Sequence, residues 1–385
     1  MPNSSIDLSA YQILYLPIVA WNTVTQRPQH IAREFAARGA KVYHVNQYQT
    51  SSSGFTTILP TQDERIYEVI SIKPPYMKFR GLRPVIYDVL KRPNRIDTQC
   101  TDIYQALDSN LLTIVWVNVP YWAPYVQTAI PKDITVVYDV LDNYNCFLDL
   151  APLSAQLNLM HNMLLKRADY ITYTAQRMLS TQLKTHTQKA LYLPNACHPE
   201  KWDIQYNSTN PPIIGYFGAV ADWFDMDVLV SLAKESNISI EIASPPISVE
   251  HRETLKLLTS ISHLGLKPHD ELPKIVSRWA CAIIPFLDTR LTRSTNPIKL
   301  YEYMAAGLPI VTTALPEIEY IVSTMPEKAK PTLVQPGDAK SFVEAVKNEV
   351  EQDTLGKRSL RRSWAIRHSW SNRMESFLER SGIGV

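Results

Sequence analysis

Short apolar runs of strand length alternate with amphipathic stretches almost from end to end, and the alternation breaks once and then restarts. Residues 12–19 (QILYLPIV), 42–45, 111–117 (LLTIVWV), 134–140 (ITVVYDV), 170–174 and 190–193 read as strands, being compact runs rich in apolar and β-branched residues. A helix fits 28–38, opened by Pro28 and closed by Gly39. The polar stretch 203–212 (DIQYNSTNPP) holds two prolines and reads as a linker. Beyond it, strands at 213–217, 238–243, 261–264, 281–285 and 309–312 alternate with helices at 227–234, 270–278 and 297–306, and 339–379 reads as a helical tail. Alternation of this kind implies parallel sheets with helices on both faces. The expected fold class is therefore α/β, with two doubly wound units joined near residue 208. At about 150 residues per domain, a chain of 385 has room for both.

Composition narrows the function. Thirty-nine basic residues nearly cancel 37 acidic ones, for a net charge of +2, which excludes the global basicity of most nucleic-acid binders. Only 11 glycines are present, and they build neither GxGxxG nor GxxxxGK[ST]. A bound phosphate must then be held by helix N-termini and basic side chains. Cys100, Cys146, Cys197 and Cys281 form no CxxC, which argues against a disulfide scaffold or a zinc ribbon. The polar opening MPNSSIDLSA lacks the basic start of a signal peptide, and the apolar runs are too short to span a bilayer.

Ligands of open α/β sheets bind beyond the carboxyl ends of the strands, so the chemistry is sought in loops that follow strands. Residues 289–316 (TRLTRSTNPIKLYEYMAAGLPIVTTALP) carry the most information. Thr295 or Asn296 is suited to cap the helix, Pro297 to open it and Gly307 to close it. Arg290 and Arg293 lie just upstream, so the helix start offers an anion site. Lys299 in the first turn is placed to reach a phosphate, and Glu302 one turn later to accept ribose hydroxyls. The same spacing also fits a plain i,i+3 salt bridge on a solvated face.

PIKLYEYMAAGLPIV resembles the donor-binding helix of glycosyltransferases of the GT-B fold, especially the family 4 group. WNTVTQRPQHIAREFAARG resembles the first loop and helix of bacterial members in cell-surface polysaccharide synthesis. ADYITYTAQRM, YLPNACHPEKW and IIGYFGAVADWFD follow in that family's order. The resemblance implies an N-terminal acceptor domain (1–205), a donor domain (206–365) and a final helix (366–385) crossing back to the first domain, with the two domains facing a cleft. It implies a nucleotide-sugar donor, commonly UDP-linked, and a glycan or lipid-linked acceptor, with no cofactor. Glu302 would hold the ribose and Lys299 the diphosphate. Many retaining members carry a second glutamate where this chain has Ser294, and the usual Arg/Lys pair after the first donor-domain strand is replaced by the acidic GAVADWFDMD. The remaining donor contacts are then expected from Gly218, Arg293, Ser294, Thr295 and Asn296, with Asp222 and Trp223 lining the sugar.

YDVLDNYN places Asp139 and Asp142 at the end of a strand in the first domain. Asp142 is the better candidate for the base that direct displacement requires, with Asp139 beside the acceptor. A turn or helix cap at Asp142 is the plainer reading. Trp21 and Arg27, after the first strand, suit acceptor binding, and His30 is an alternative base. A surface helix start accounts for these residues equally well. Asp225-Met226-Asp227 spells DxD, a metal–diphosphate signature, but as the opening of a helix it reads as a cap, so no metal is expected. Residues 73–95 hold seven basic side chains interleaved with aromatics, which suits an anionic membrane surface as well as a basic loop. The expected location is the cytoplasm, at the inner face of the plasma membrane. Two rivals share these features: a nucleotide-sugar epimerase and a transferase-like subunit without chemistry.

Overall fold

The computed structural model describes residues 6–385 apart from positions 24, 47, 48, 50, 52, 54, 72–100, 147–153, 248 and 257. The basic stretch 73–95 and Cys100 therefore lie outside the described residues. The chain divides into two compact units, Met1–Pro194 with Arg373–Val385, and Asn195–Asn372.

The first unit is built on β1 (Tyr11–Leu16), β2 (Lys41–Asn46), β3 (Thr57–Pro60), β4 (Ile66–Ile70), β5 (Leu112–Val117), β6 (Thr135–Val140), β7 (Tyr170–Tyr173) and β8 (Ala190–Tyr192). Their order is β3-β4-β2-β1-β5-β6-β7-β8, and only β3 runs antiparallel to its neighbour. The runs VYHV, IVWV and VVYDV sink into the core because both faces of a parallel sheet are covered. The helix Arg27–Ala37 turns Phe35 onto Trp116 of β5, with ring centroids 5.3 Å apart. Trp116 also meets Phe377, so the end of the last helix is part of this core. Arg38 pairs with Glu375, and the Tyr170 hydroxyl donates to the Ser381 carbonyl.

The second unit holds β9 (Ile213–Phe217), β10 (Ser239–Ala243), β11 (Ile261–His263), β12 (Trp279–Ile284), β13 (Ile310–Thr313) and β14 (Thr332–Val334), all parallel. The order β11-β10-β9-β12-β13-β14 reverses direction between β9 and β12, the point where such sheets open a crevice. Gly215 lets β9 and β12 close there, since a Cβ on it would sit 1.8 Å from the Trp279 ring.

Three strands escape the sequence reading. β3 contains Pro60 at a half-exposed edge, β14 is three residues long, and β4 hides its period because Glu68 is buried, bonded to Asn46. By its contacts the first unit ends at Pro194 and resumes at Arg373, beside expected bounds of 205 and 366. Residues 195–204 side with the second unit because Trp202 stacks on Phe217 and its carbonyl accepts from Arg362. The helical tail is three helices, Ala339–Gln352, Leu355–Arg367 and Trp370–Ser381. Among the described residues, no helix is long and apolar enough to cross a membrane.

Candidate active site

The helix Ile298–Ala305 begins beside the β9/β12 crevice. Its N-cap is Pro297, extended at φ −77° and ψ 118°, with no side-chain cap. This corrects the expectation of a Thr295 or Asn296 cap with Pro297 inside the helix. Thr295 donates instead to the Leu291 carbonyl. Asn296 accepts from the Asn195 N–H at 3.2 Å and donates to Glu317 at 2.9 Å. An uncapped first turn leaves N–H groups available to an anion. The stop is as expected: Gly307 has φ +75°, and its N–H bonds to the Met304 carbonyl.

Lys299 rises from this first turn into an aromatic box, its Nζ 5.0 Å from the Tyr216 ring and 4.9 Å from that of Phe286. Gly218, just past β9, sits against it: a Cβ there would lie 3.0 Å from Lys299 Cε and Nζ. Gly218 also has φ +123°, so the position demands glycine on two counts. Burial lowers the Lys299 pKa to about 8, against the opposing pull of Glu302. A desolvated cation of this kind gains strongly from a phosphate partner.

Glu302 is buried, and its Oε1 lies 2.5 Å from His269 Nε2. Lys299 and Glu302 form no ion pair with one another, so the plain salt-bridge reading of their spacing fails. Instead a cation and a carboxylate stand one helical turn apart with separate supports. His269, Tyr216 and Phe286 were missed from the sequence. The last two could have been found as residues at the ends of β9 and β12, flanking the reversal.

The other expected donor residues are placed unevenly. Arg293 is exposed and held by Asp288 at 2.5 and 2.7 Å, so it serves its own loop as the structure stands. Ser294 is buried at the end of a 3-10 turn, its N–H bonded to the Leu291 carbonyl. Asp222 is exposed, while Trp223 packs against the core and its carbonyl accepts from Leu287. Asp225 caps the helix Met226–Ala233, accepting from the N–H groups of Asp227 and Val228 at 3.0 and 3.3 Å. We expect Asp225→Ala to cost about 1 kcal/mol of stability while nucleotide affinity and activity in EDTA are kept. Thermal melts and assays of the variant check this; a collapse of activity reversed by Mg²⁺ would make Asp225 a metal ligand.

In the first unit, Asp139 is saturated. It accepts from Arg27 (2.9 and 3.0 Å), Asn118 (2.9 Å), Thr172 (2.6 Å) and the Trp116 indole (3.3 Å). Arg27 and Asp139, both expected at the acceptor, form a buried pair that fixes the start of helix Arg27–Ala37 against β6. Trp21 packs edge-on to His44 at 5.2 Å under the Arg33 guanidinium. His30 lies buried in the first turn of the same helix. Asp142 follows β6 and precedes the 3-10 turn Tyr144–Cys146, outside the Asp139 network. Burial pushes its carboxyl up to about 7, against the lowering effect of Arg27. That value suits a proton acceptor near neutrality.

Residues 211–352, the larger part of the second unit, match the family model of group 1 glycosyl transferases. No curated protein sequence matches the chain. Among solved structures, sucrose-phosphate synthase from Thermosynechococcus elongatus superposes with a TM-score of 0.69 at 13% identity, over 96% of this chain and 98% of that one. The trehalose-6-phosphate protein of E. coli bound with UDP-2-fluoro glucose gives 0.70 at 10%, over 97% and 99%. A UDP-forming trehalose-phosphate synthase from Burkholderia xenovorans in complex with glucose-6-phosphate gives 0.68 at 11%, over 97% and 99%. Identities this low speak for the fold, and the family match speaks for the second unit. Residues 211–352 thus match the group 1 glycosyl transferases, and the chain as a whole has the GT-B fold of these solved structures.

Proposed function

We propose that the protein transfers a sugar from a UDP-sugar to a glycan or lipid-linked acceptor in cell-surface polysaccharide synthesis, working in the cytoplasm at the inner face of the membrane. The observation that carries the donor half is the grouping of Gly218, Lys299 and Glu302 at the β9/β12 reversal. Lys299 and the uncapped helix start meet the diphosphate, and Glu302 accepts from the ribose hydroxyls. UDP is favoured by the relatives, one of which holds UDP-2-fluoro glucose while another is UDP-forming.

The first unit takes the acceptor and supplies the base. The acceptor oxygen attacks the anomeric carbon as the bond to the diphosphate oxygen breaks. Asp142 takes the hydroxyl proton, and Lys299 stabilises the charge gathering on the departing diphosphate. Arg27 and Asp139 position the first unit's helix without touching the reacting atoms. The diphosphate charge is met by side chains and backbone, since Asp225 is occupied as a cap.

The test is UDP release from UDP-sugars with and without acceptor glycolipid. Release that requires acceptor supports transfer. Conversion of the sugar without acceptor would support an epimerase, and no turnover with any UDP-sugar would support a subunit without chemistry. The donor site also sets a pH dependence. Lys299 must be protonated to bind phosphate, and its pKa is depressed to about 8. UDP affinity should therefore fall as the pH rises above about 8, with proton uptake on binding in that range. Titration calorimetry in buffers of different ionisation heat checks this. A flat affinity with no proton uptake from about pH 7 to about pH 9.5 would contradict it.

A further inference from the structure

We infer that His269 is the positioning residue that aims Glu302 at the nucleotide ribose, an inference that rests on the donor reading above. His269 belongs to the turn leading into the short helix Leu272–Val276, a different element from the one that carries Glu302. Its Nε2 lies 2.5 Å from Glu302 Oε1. With the carboxylate ionised, Nε2 carries the proton and donates it to Oε1. Glu302 Oε2 makes no hydrogen bond to any described residue. One oxygen of the carboxylate is therefore fixed by the protein and the other remains to accept from a ligand.

The imidazole is itself held. Trp202 meets it edge-on with centroids 5.9 Å apart, and Trp202 is stacked on Phe217 at 5.7 Å. The Phe217 N–H in turn bonds the hydroxyl of Tyr303, the residue after Glu302. Ring, carboxylate and strand end thus brace one another within the second unit. A glutamate has three side-chain torsions, and an unbraced one must be ordered when the ligand arrives. The His269 bond pre-orders it, which raises affinity without adding a contact to the ligand.

A merely structural histidine and a positioning one predict different ligand selectivity. The probes are UDP and 2′,3′-dideoxy-UDP, which differ only in the hydroxyls that Glu302 receives. His269→Phe keeps a ring against Trp202 and removes the donor. His269→Gln keeps an N–H within reach. We expect His269→Phe to bind UDP about tenfold more weakly with dideoxy-UDP affinity unchanged, and His269→Gln to recover most of the loss. Combined with Glu302→Ala, His269→Phe should add nothing further, because the two act as one unit.

Equal weakening for both nucleotides in His269→Phe, or unchanged UDP affinity in that variant, would overturn the inference. Glu302→Ala on the same pair separates the two levels of the argument. If Glu302→Ala loses the preference for UDP over dideoxy-UDP and His269→Phe does not, only the positioning role falls. If Glu302→Ala keeps that preference, or the native protein binds neither nucleotide, the donor reading itself falls and this inference with it.

Discussion

Asp142→Asn is expected to lower turnover by about 10²–10⁴-fold while UDP affinity stays near that of the native protein. Displacement at the anomeric carbon needs an acceptor for the hydroxyl proton, and an amide cannot be one at neutral pH. The carboxyl is pushed up to about 7 by burial, so the rate should fall as the pH drops through about 7 and the base becomes protonated. The same shift has a thermodynamic consequence of opposite sense. A carboxyl whose folded pKa lies above its ordinary value of 3.8 favours the fold when protonated. That contribution is present below about pH 4 and is lost as the pH rises through about 7. Asp142→Asn should therefore raise the melting temperature above pH 7 and leave it little changed in acid. Turnover of the asparagine variant within a few-fold of native would remove Asp142 from the chemistry and move attention to His30. A product with the donor's own anomeric configuration would exclude single displacement whatever the variant does.

Lys299→Met carries the second large effect. The ammonium sits between the rings of Tyr216 and Phe286 and against Gly218. A charge-assisted bond to phosphate is worth about 1.5–3 kcal/mol, so UDP affinity should drop roughly 10- to 150-fold. The free protein should respond in the other direction. Methionine fills the same box without the desolvation that lowers the lysine pKa, so its melting temperature should hold or rise. Weaker binding together with a lower melting point would mean that Lys299 is structural. Uridine, which lacks phosphates, serves as the control: its affinity should not change.

Both sheets were legible because buried parallel strands write themselves as apolar runs. Residues 213–217 read as a strand and are one, and the run at 134–140 loses a single residue at its start. Strands that failed to show are those where tertiary structure overrides the local signal: Glu68 is hidden by its bond to Asn46, and Pro60 ends a half-exposed edge. The division between the units is a related case. Proline and asparagine at 203–212 do mark an irregular segment, but the boundary is decided earlier by where Trp202 packs, which no local pattern encodes.

The site divides in the same way. Lys299 and Glu302, the proposed donor contacts, stand out in the sequence through helix punctuation and family resemblance together. Their supports do not, because His269 is 33 residues from Glu302 in sequence and its bond is purely tertiary. Arg27 and Asp139 show the converse. Each has the right residue type beyond a strand or at its end, yet they lie 112 residues apart and satisfy one another. Strand-end placement marks the neighbourhood of a site; the hydrogen-bond partners decide which residues there remain free to act.

The central claim is that the helix Ile298–Ala305 receives a nucleoside diphosphate. It is tested most directly by titrating UDP into the native protein and into Glu302→Ala. The account predicts one site in the native protein and a loss of tens-fold or more in the variant, the value of a charge-assisted hydrogen bond at about 1.5–3 kcal/mol. A folded Glu302→Ala protein that binds UDP as tightly as the native one would contradict it.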